Sequence, residues 1–147
     1  MIFVIDDDDI MAECIARACK NALTDTSVSQ KTGVNAQNAL NDTNVPNATN
    51  VSFRTKIFSN AIDAMNAISD GQLPSLIFLD ILLNGPDGFA LLNELVSYTD
   101  TANIPIVIIS TLDFTHHDLS AYGVVGTLKK DTLTPQDIQR YVHTYIK

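Results

Sequence analysis

Two acidic positions in this 147-residue chain stand where chemistry is easiest to build. The run "IFVIDDDDIM" passes from four apolar residues, Ile2–Ile5, straight into four aspartates, Asp6–Asp9. The run "LIFLDILLNGPDG" places a second acid, Asp80, directly after Leu76–Leu79. Carboxylates gathered at the ends of buried segments repel one another and resist burial. Such a cluster is solvated, caps a helix, or receives something positive. Two further runs end on complementary groups: "IVIIST" on the hydroxyl of Ser110, and "VVGTLKK" on the ammonium of Lys130. Carboxylates, a hydroxyl and an ammonium together can carry phosphoryl transfer to a carboxylate. Cationic groups neutralise the phosphoryl oxygens, the hydroxyl hydrogen-bonds one of them, and Asp80 attacks in line. Clustered hard oxygens also suit a divalent cation, and magnesium, which keeps several waters, needs few protein ligands.

The elements that must bring these residues together follow from periodicity. Ile2–Ile5, Val51/Phe53/Thr55/Ile57, Leu76–Leu79, Ile104–Ile109 and Val124–Leu128 read as five strands. The near-continuous apolar run of the fourth predicts burial on both faces. Between them lie helical patterns. Met11, Cys14, Ile15, Ala18, Cys19 and Ala22 form one stripe; Asn60 caps a helix with Ile62, Met65 and Ile68 inward; Phe89, Leu92, Leu95 and Val96 follow Gly88. A short helix is expected near Thr115–Tyr122. A last one starts at Thr134-Pro135 with Asp137 in its first turn and buries Ile138, Tyr141, Val142, Tyr145 and Ile146. Five strands alternating with five helices predict an α/β, doubly wound, parallel sheet. Its simplest order is 2-1-3-4-5, with the switch point between the first and third strands. Asp6, Asp7 and Asp80 then meet at one edge, and Ser110 and Lys130 share it.

With these residues in order at strand ends, the chain resembles the receiver domain of two-component response regulators, of the stand-alone type, which has a flavodoxin-like fold. The resemblance rests on Asp6-Asp7, Asp80, Asp87-Gly88, Ser110 and Lys130, and covers Ile2 to Lys147 apart from one insertion. It implies that Asp80 is the phosphoacceptor, that Asp7 binds Mg2+ directly and Asp6 largely through water, and that the Leu82 backbone carbonyl completes the protein ligands. It implies a phosphohistidine donor, on a sensor histidine kinase or histidine phosphotransfer protein, and output through an unknown protein target or onward phosphorelay. Three positions depart from the family. Asn84 stands where Pro is usual, Thr127 replaces the switch aromatic, and Asp131 replaces a cis proline after the lysine. A trans bond is expected at Asp131, since a cis non-proline bond costs about 3–4 kcal/mol. Leu82 and Leu112, which flank the path of a hydrolytic water in the family, are both apolar here, so a long-lived phosphoaspartate is expected.

Two other functions compete. "IFVIDDDDI" loosely fits a haloacid dehalogenase-like phosphatase with Asp6 as nucleophile, but that reading leaves Asp80 unexplained. A degenerate receiver serving only as a docking module is the other.

Composition narrows the field. The net charge of −8 and scattered basic residues argue against nucleic acid as a partner. No apolar run approaches a membrane span and no signal segment precedes the first strand, so a cytoplasmic, membrane-free protein is expected. The length suits a single domain, 1–147. Residues 24–50 are Asn/Thr-rich, with Asn35, Asn38, Asn41, Asn44, Asn47 and Asn50 at every third position, and read as an insertion between first helix and second strand. That insertion should emerge at the edge opposite the acids. Cys14 and Cys19 are expected to be core thiols, about 7.5 Å apart along a helix and too distant for a disulfide. Asp8 and Asp9 are expected as first-turn helix acids, His116 and His117 as exposed polar residues, and His143 as partly exposed.

Overall fold

The structure, a computed structural model, describes residues 1–28, 54–84, 88–114 and 116–147. Val51, Phe53, most of the 24–50 insertion, Pro86, Asp87 and Thr115 lie outside these. Along the chain run β1 (Ile2–Ile5), α1 (Asp9–Val28), β2 (Thr55–Phe58), α2 (Ala61–Ser69), β3 (Leu76–Asp80), α3 (Gly88–Val96), β4 (Ile106–Ser110), one 3-10 turn (Ser120–Tyr122), β5 (Val124–Lys129) and α4 (Pro135–Tyr145). The five strands form one sheet in the order β2-β1-β3-β4-β5, every pair parallel, as expected from the sequence.

Alternating side chains of the central strands feed two cores. On one face Phe3, Ile5, Ile77, Leu79, Ile106 and Ile108 pack under α2 and α3. On the other, Ile2, Val4, Leu76, Phe78, Val107 and Ile109 pack under α1 and α4. Each fully buried side chain of this size contributes about 1.5–3 kcal/mol. Every residue of β1, β3 and β4 is buried, which accounts for their unbroken apolar character.

Both expected caps form. Asn60 accepts a hydrogen bond from the Asp63 amide, and Thr134 and Asp137 make a reciprocal capping box with Pro135 in the first turn. Gly123, at φ 76°, closes the 3-10 turn in a conformation that costs glycine least. Between β4 and β5 the register slips. Ile106 faces Val124 but Val107 faces Gly126, leaving Val125 as an extra residue.

Several expected faces shift. On α2 the inward residues are Ala61, Ala64, Ala67 and Ile68, while Ile62 is 54% exposed and Met65 half-buried. On α3, Leu91 joins Leu92 and Leu95 inside, and Phe89 and Val96 are exposed. On α1, Cys19 is buried but Cys14 is exposed, so only one cysteine is a core thiol; burial pushes the Cys19 thiol up to about 12. The helix expected near Thr115–Tyr122 is, among the described residues, only the Ser120–Tyr122 turn, so four α-helices rather than five flank the sheet. Asp118 accepts hydrogen bonds from the amide and hydroxyl of Ser120, a local turn that competes with helix.

Candidate functional site

The carboxyl ends of β1, β3, β4 and β5 meet at one edge of the sheet. Asp6 leaves β1 with its amide on the Phe58 carbonyl, 3.0 Å away across the sheet. Its carboxylate turns inward, 1% exposed, and Oδ1 accepts from the Asp8 amide at 2.9 Å. Asp8 caps α1, accepting from the amides of Ile10 and Met11 at 3.0 and 3.1 Å, and Asp9 opens the helix. Asp8 is therefore a cap rather than a first-turn acid. The dense acidic run thus divides its labour: Asp8 and Asp9 start the helix, and Asp6 and Asp7 face the site.

Asp80 is the last residue of β3 and is 4% exposed. Its Oδ1 accepts from the Leu82 amide at 2.9 Å and its Oδ2 from Lys130 Nζ at 2.9 Å. The same ammonium donates to Asp6 Oδ1 at 3.1 Å and lies 2.9 Å from Asp6 Oδ2. Lys130 reaches this place because its own amide donates to the Ser110 carbonyl at 2.9 Å, which aligns the exit of β5 with the end of β4. Ser110 is fully buried, and its hydroxyl oxygen accepts from the Leu112 amide at 3.1 Å. Asp7, half-buried, is held across the site by Asn84, whose backbone amide (3.3 Å) and side-chain amide both donate to Asp7 Oδ2.

The electrostatics follow from this packing. Burial pushes the Asp6 carboxyl above the ordinary carboxylate range, more than the Asp8 amide and Lys130 pull it down. Burial also works against the charge on Lys130. Its hydrogen bonds to Asp80 and Asp6 outweigh that, and the ammonium is held above its ordinary value.

Asp6, Asp7 and Asp80 each offer a carboxylate oxygen within 4.8 Å of the others. One ammonium does not balance three carboxylates. Asp6 Oδ2 is also a buried oxygen that, despite its closeness to Lys130, lies outside hydrogen-bonding geometry. Hard oxygens, excess negative charge and an oxygen lacking a hydrogen bond fit a hard divalent cation.

Among the sequence-selected residues, Asp6, Asp7, Asp80 and Lys130 converge, and Ser110 stands on the same edge beside Lys129 in the ladder. Leu82 contributes its amide to Asp80; its side chain and that of Leu112 are half exposed. Thr127 lines a cleft of about 270 Å³ with Leu112, Phe114 and Thr132. No cis peptide occurs among the described residues, so Asp131 follows Lys130 in trans, as expected. His116 and His117 are exposed, as is His143, whose Nε2 lies 3.1 Å from the Ala22 carbonyl oxygen.

Two residues of the site escaped sequence reasoning. Asn84 was noticed only as a missing proline, and its hydrogen bonds to Asp7 span 77 positions. Gly88 stands in the sequence only as a position of the family resemblance and the residue before a helical pattern, yet a Cβ there would sit 2.7 Å from Ile81 Cα and 2.9 Å from the Asp80 carbonyl oxygen. Only a residue without a side chain lets α3 start directly beneath the backbone that carries Asp80. The position of that glycine at the first turn of a helix was the available signal.

No family model and no curated protein matches this chain. Solved structures do. The receiver domain of NtrX from Brucella abortus is 23% identical, with 99% of this chain and 98% of that chain covered and a TM-score of 0.65. A two-component response regulator from Clostridium difficile is 19% identical, with 99% and 93% covered and a TM-score of 0.64. The receiver domain of a sensor histidine kinase from Pseudomonas aeruginosa PAO1, which holds a magnesium ion in its active-site cleft, is 15% identical, with 99% and 96% covered and a TM-score of 0.62. The fold is that of a response regulator receiver domain.

Proposed function

We propose that this receiver-folded chain is a phosphorylatable signalling switch that accepts a phosphoryl group on Asp80. The observation that carries the reading is the setting of that carboxylate: buried at the end of β3, held on one oxygen by Lys130 and on the other by the Leu82 amide, inside a three-acid cluster.

The donor in this reading is a phosphohistidine on a sensor histidine kinase or histidine phosphotransfer protein. An Asp80 oxygen attacks phosphorus in line, the new P–O bond forms as the P–N bond breaks, and the departing imidazole takes a proton. Lys130, already on Asp80, supplies positive charge to the phosphoryl oxygens, and the Ser110 hydroxyl donates to one of them. Asp6, Asp7, Asp80 and the Leu82 carbonyl would hold Mg2+, which when bound would neutralise further charge on the transferred group. The protein's only chemistry in this reading is its own phosphorylation and dephosphorylation, and its output is contact with another protein or onward phosphotransfer. Among the described residues no helix is long and apolar enough to cross a membrane. The reading implies residence in the cytoplasm, where kinase-held phosphohistidine is made.

The test is incubation with a small phosphodonor and magnesium, with mass spectrometry to locate the label. Asp80→Asn should abolish labelling, because an amide is not a nucleophile. Full labelling of that variant with the phosphoryl group on Asp6 would sink the proposal and favour a phosphatase.

A further inference from the structure

The three acids of the cluster are not held alike. Asp6 and Asp80 share the ammonium of Lys130, with contacts of 2.9 to 3.1 Å. Asp7 is tied instead to a neutral residue, Asn84, through two donors on one oxygen. A lysine fixes a carboxylate and cancels its charge. An amide fixes it and leaves the charge whole. Both donors use Oδ2, so neither occupies Oδ1. The contact also spans the site, joining the loop after β1 to the loop after β3, the two segments that carry the acids.

We propose that Asn84 is a positioning residue for divalent-metal binding. It holds Asp7 in place against repulsion from Asp6 and Asp80, through a neutral partner, so that the cation meets a ligand already oriented. An exposed carboxylate without such a partner must give up rotamer freedom when the ion arrives, and that loss weakens binding. The inference rests on the reading of Asp6, Asp7 and Asp80 as the metal-binding cluster.

The test uses the full chain and Mg2+ alone, by isothermal titration. Asn84→Ala should weaken Mg2+ binding about three- to tenfold. A second measurement reports the contact itself. In the metal-free protein, the side-chain 1H–15N resonances of Asn84 should move when Asp7→Asn removes the charge they meet. Affinity in Asn84→Ala equal to or tighter than in the unaltered chain would overturn the proposal, the latter showing that the amide competes with the ion. Asn84 resonances indifferent to Asp7→Asn would overturn it too. An unaltered chain that binds no Mg2+ would instead bring down the metal-binding reading beneath it.

Discussion

The central strands and the flanking strands of this sheet are built differently. β1, β3 and β4 are buried on both faces, and they deliver Asp6, Asp80 and Ser110, all nearly sealed from solvent. β2 and β5 hold only half-buried and exposed positions, and just past the end of β5 comes Lys130. The anionic and hydroxyl groups are therefore set on a close-packed floor. The ammonium hangs from a looser edge on a side chain with four rotatable carbons. In the proposed reading, the phosphoryl acceptor must be fixed for in-line attack. Its counter-charge would follow the anion as charge moves from the carboxylate to the phosphoryl oxygens, and a flexible lysine at the margin suits that task.

The contrast can be broken most sharply by stability. Ile108→Ala, in the fully buried β4, should cost about 2–5 kcal/mol, and Ile57→Ala, on the 37% exposed side of β2, about 1 kcal/mol or less. Urea unfolding of the two variants measures both, and equal costs would mean that the flanking strands are as tightly bound into the core as the central ones.

A smaller effect tests the proposed binding of a cation by the three acids of that floor. At tenfold excess over its dissociation constant, Mg2+ should add about 1.4 kcal/mol of stability. A chelator should remove it. A melting temperature indifferent to both would count against a built cation site.

The smallest effect concerns Asp6. Burial raises its affinity for a proton, so in the window above the ordinary carboxylate range the native chain binds more protons than the unfolded chain. By linkage, the contribution of Asp6 to metal-free stability grows as pH falls through that window. Lys130, whose value is raised, contributes fully below the ordinary lysine range and loses its effect only at alkaline pH, so it does not intrude. Asp6→Asn should raise the metal-free melting temperature at neutral pH and flatten its dependence in the window just above the ordinary carboxylate range. A drop at neutral pH would show that the ion pair with Lys130 outweighs the cost of burying Asp6.

Much of this molecule was legible because strand ends are marked by abrupt changes of chemistry. Ile5 to Asp6, Leu79 to Asp80 and Ile109 to Ser110 each pass from apolar to polar in one step, and once the 2-1-3-4-5 order is inferred those steps meet in space. Helix faces were harder. Ile62 looks like a core residue and Ala61 does not. Where a helix lies close on a sheet, alanines fill the contact and the larger residue is left at the rim. Cys14 failed for the same reason, since Ala12 and Ala16 take the inner face of α1. The missing helix before β5 was hidden because the Asp118 side chain bonds its own local backbone, which periodicity does not see. Asn84 was invisible as a partner of Asp7 because a side-chain contact between distant loops leaves no local pattern.

The slip between β4 and β5 has a consequence for how the site tolerates change. Had pairing continued from Ile106 and Val124 without it, Val125 would face Val107, Leu128 would face Ser110, and every later side chain of β5 would point to the other side of the sheet. The extra Val125 restores the count, so that Lys129 lies opposite Ser110 and Lys130 arrives over the acids. The address of the ammonium is thus a matter of odd and even rather than of length. Within this strand an added pair of residues preserves the lysine's side, and a single added residue sends it to the wrong one.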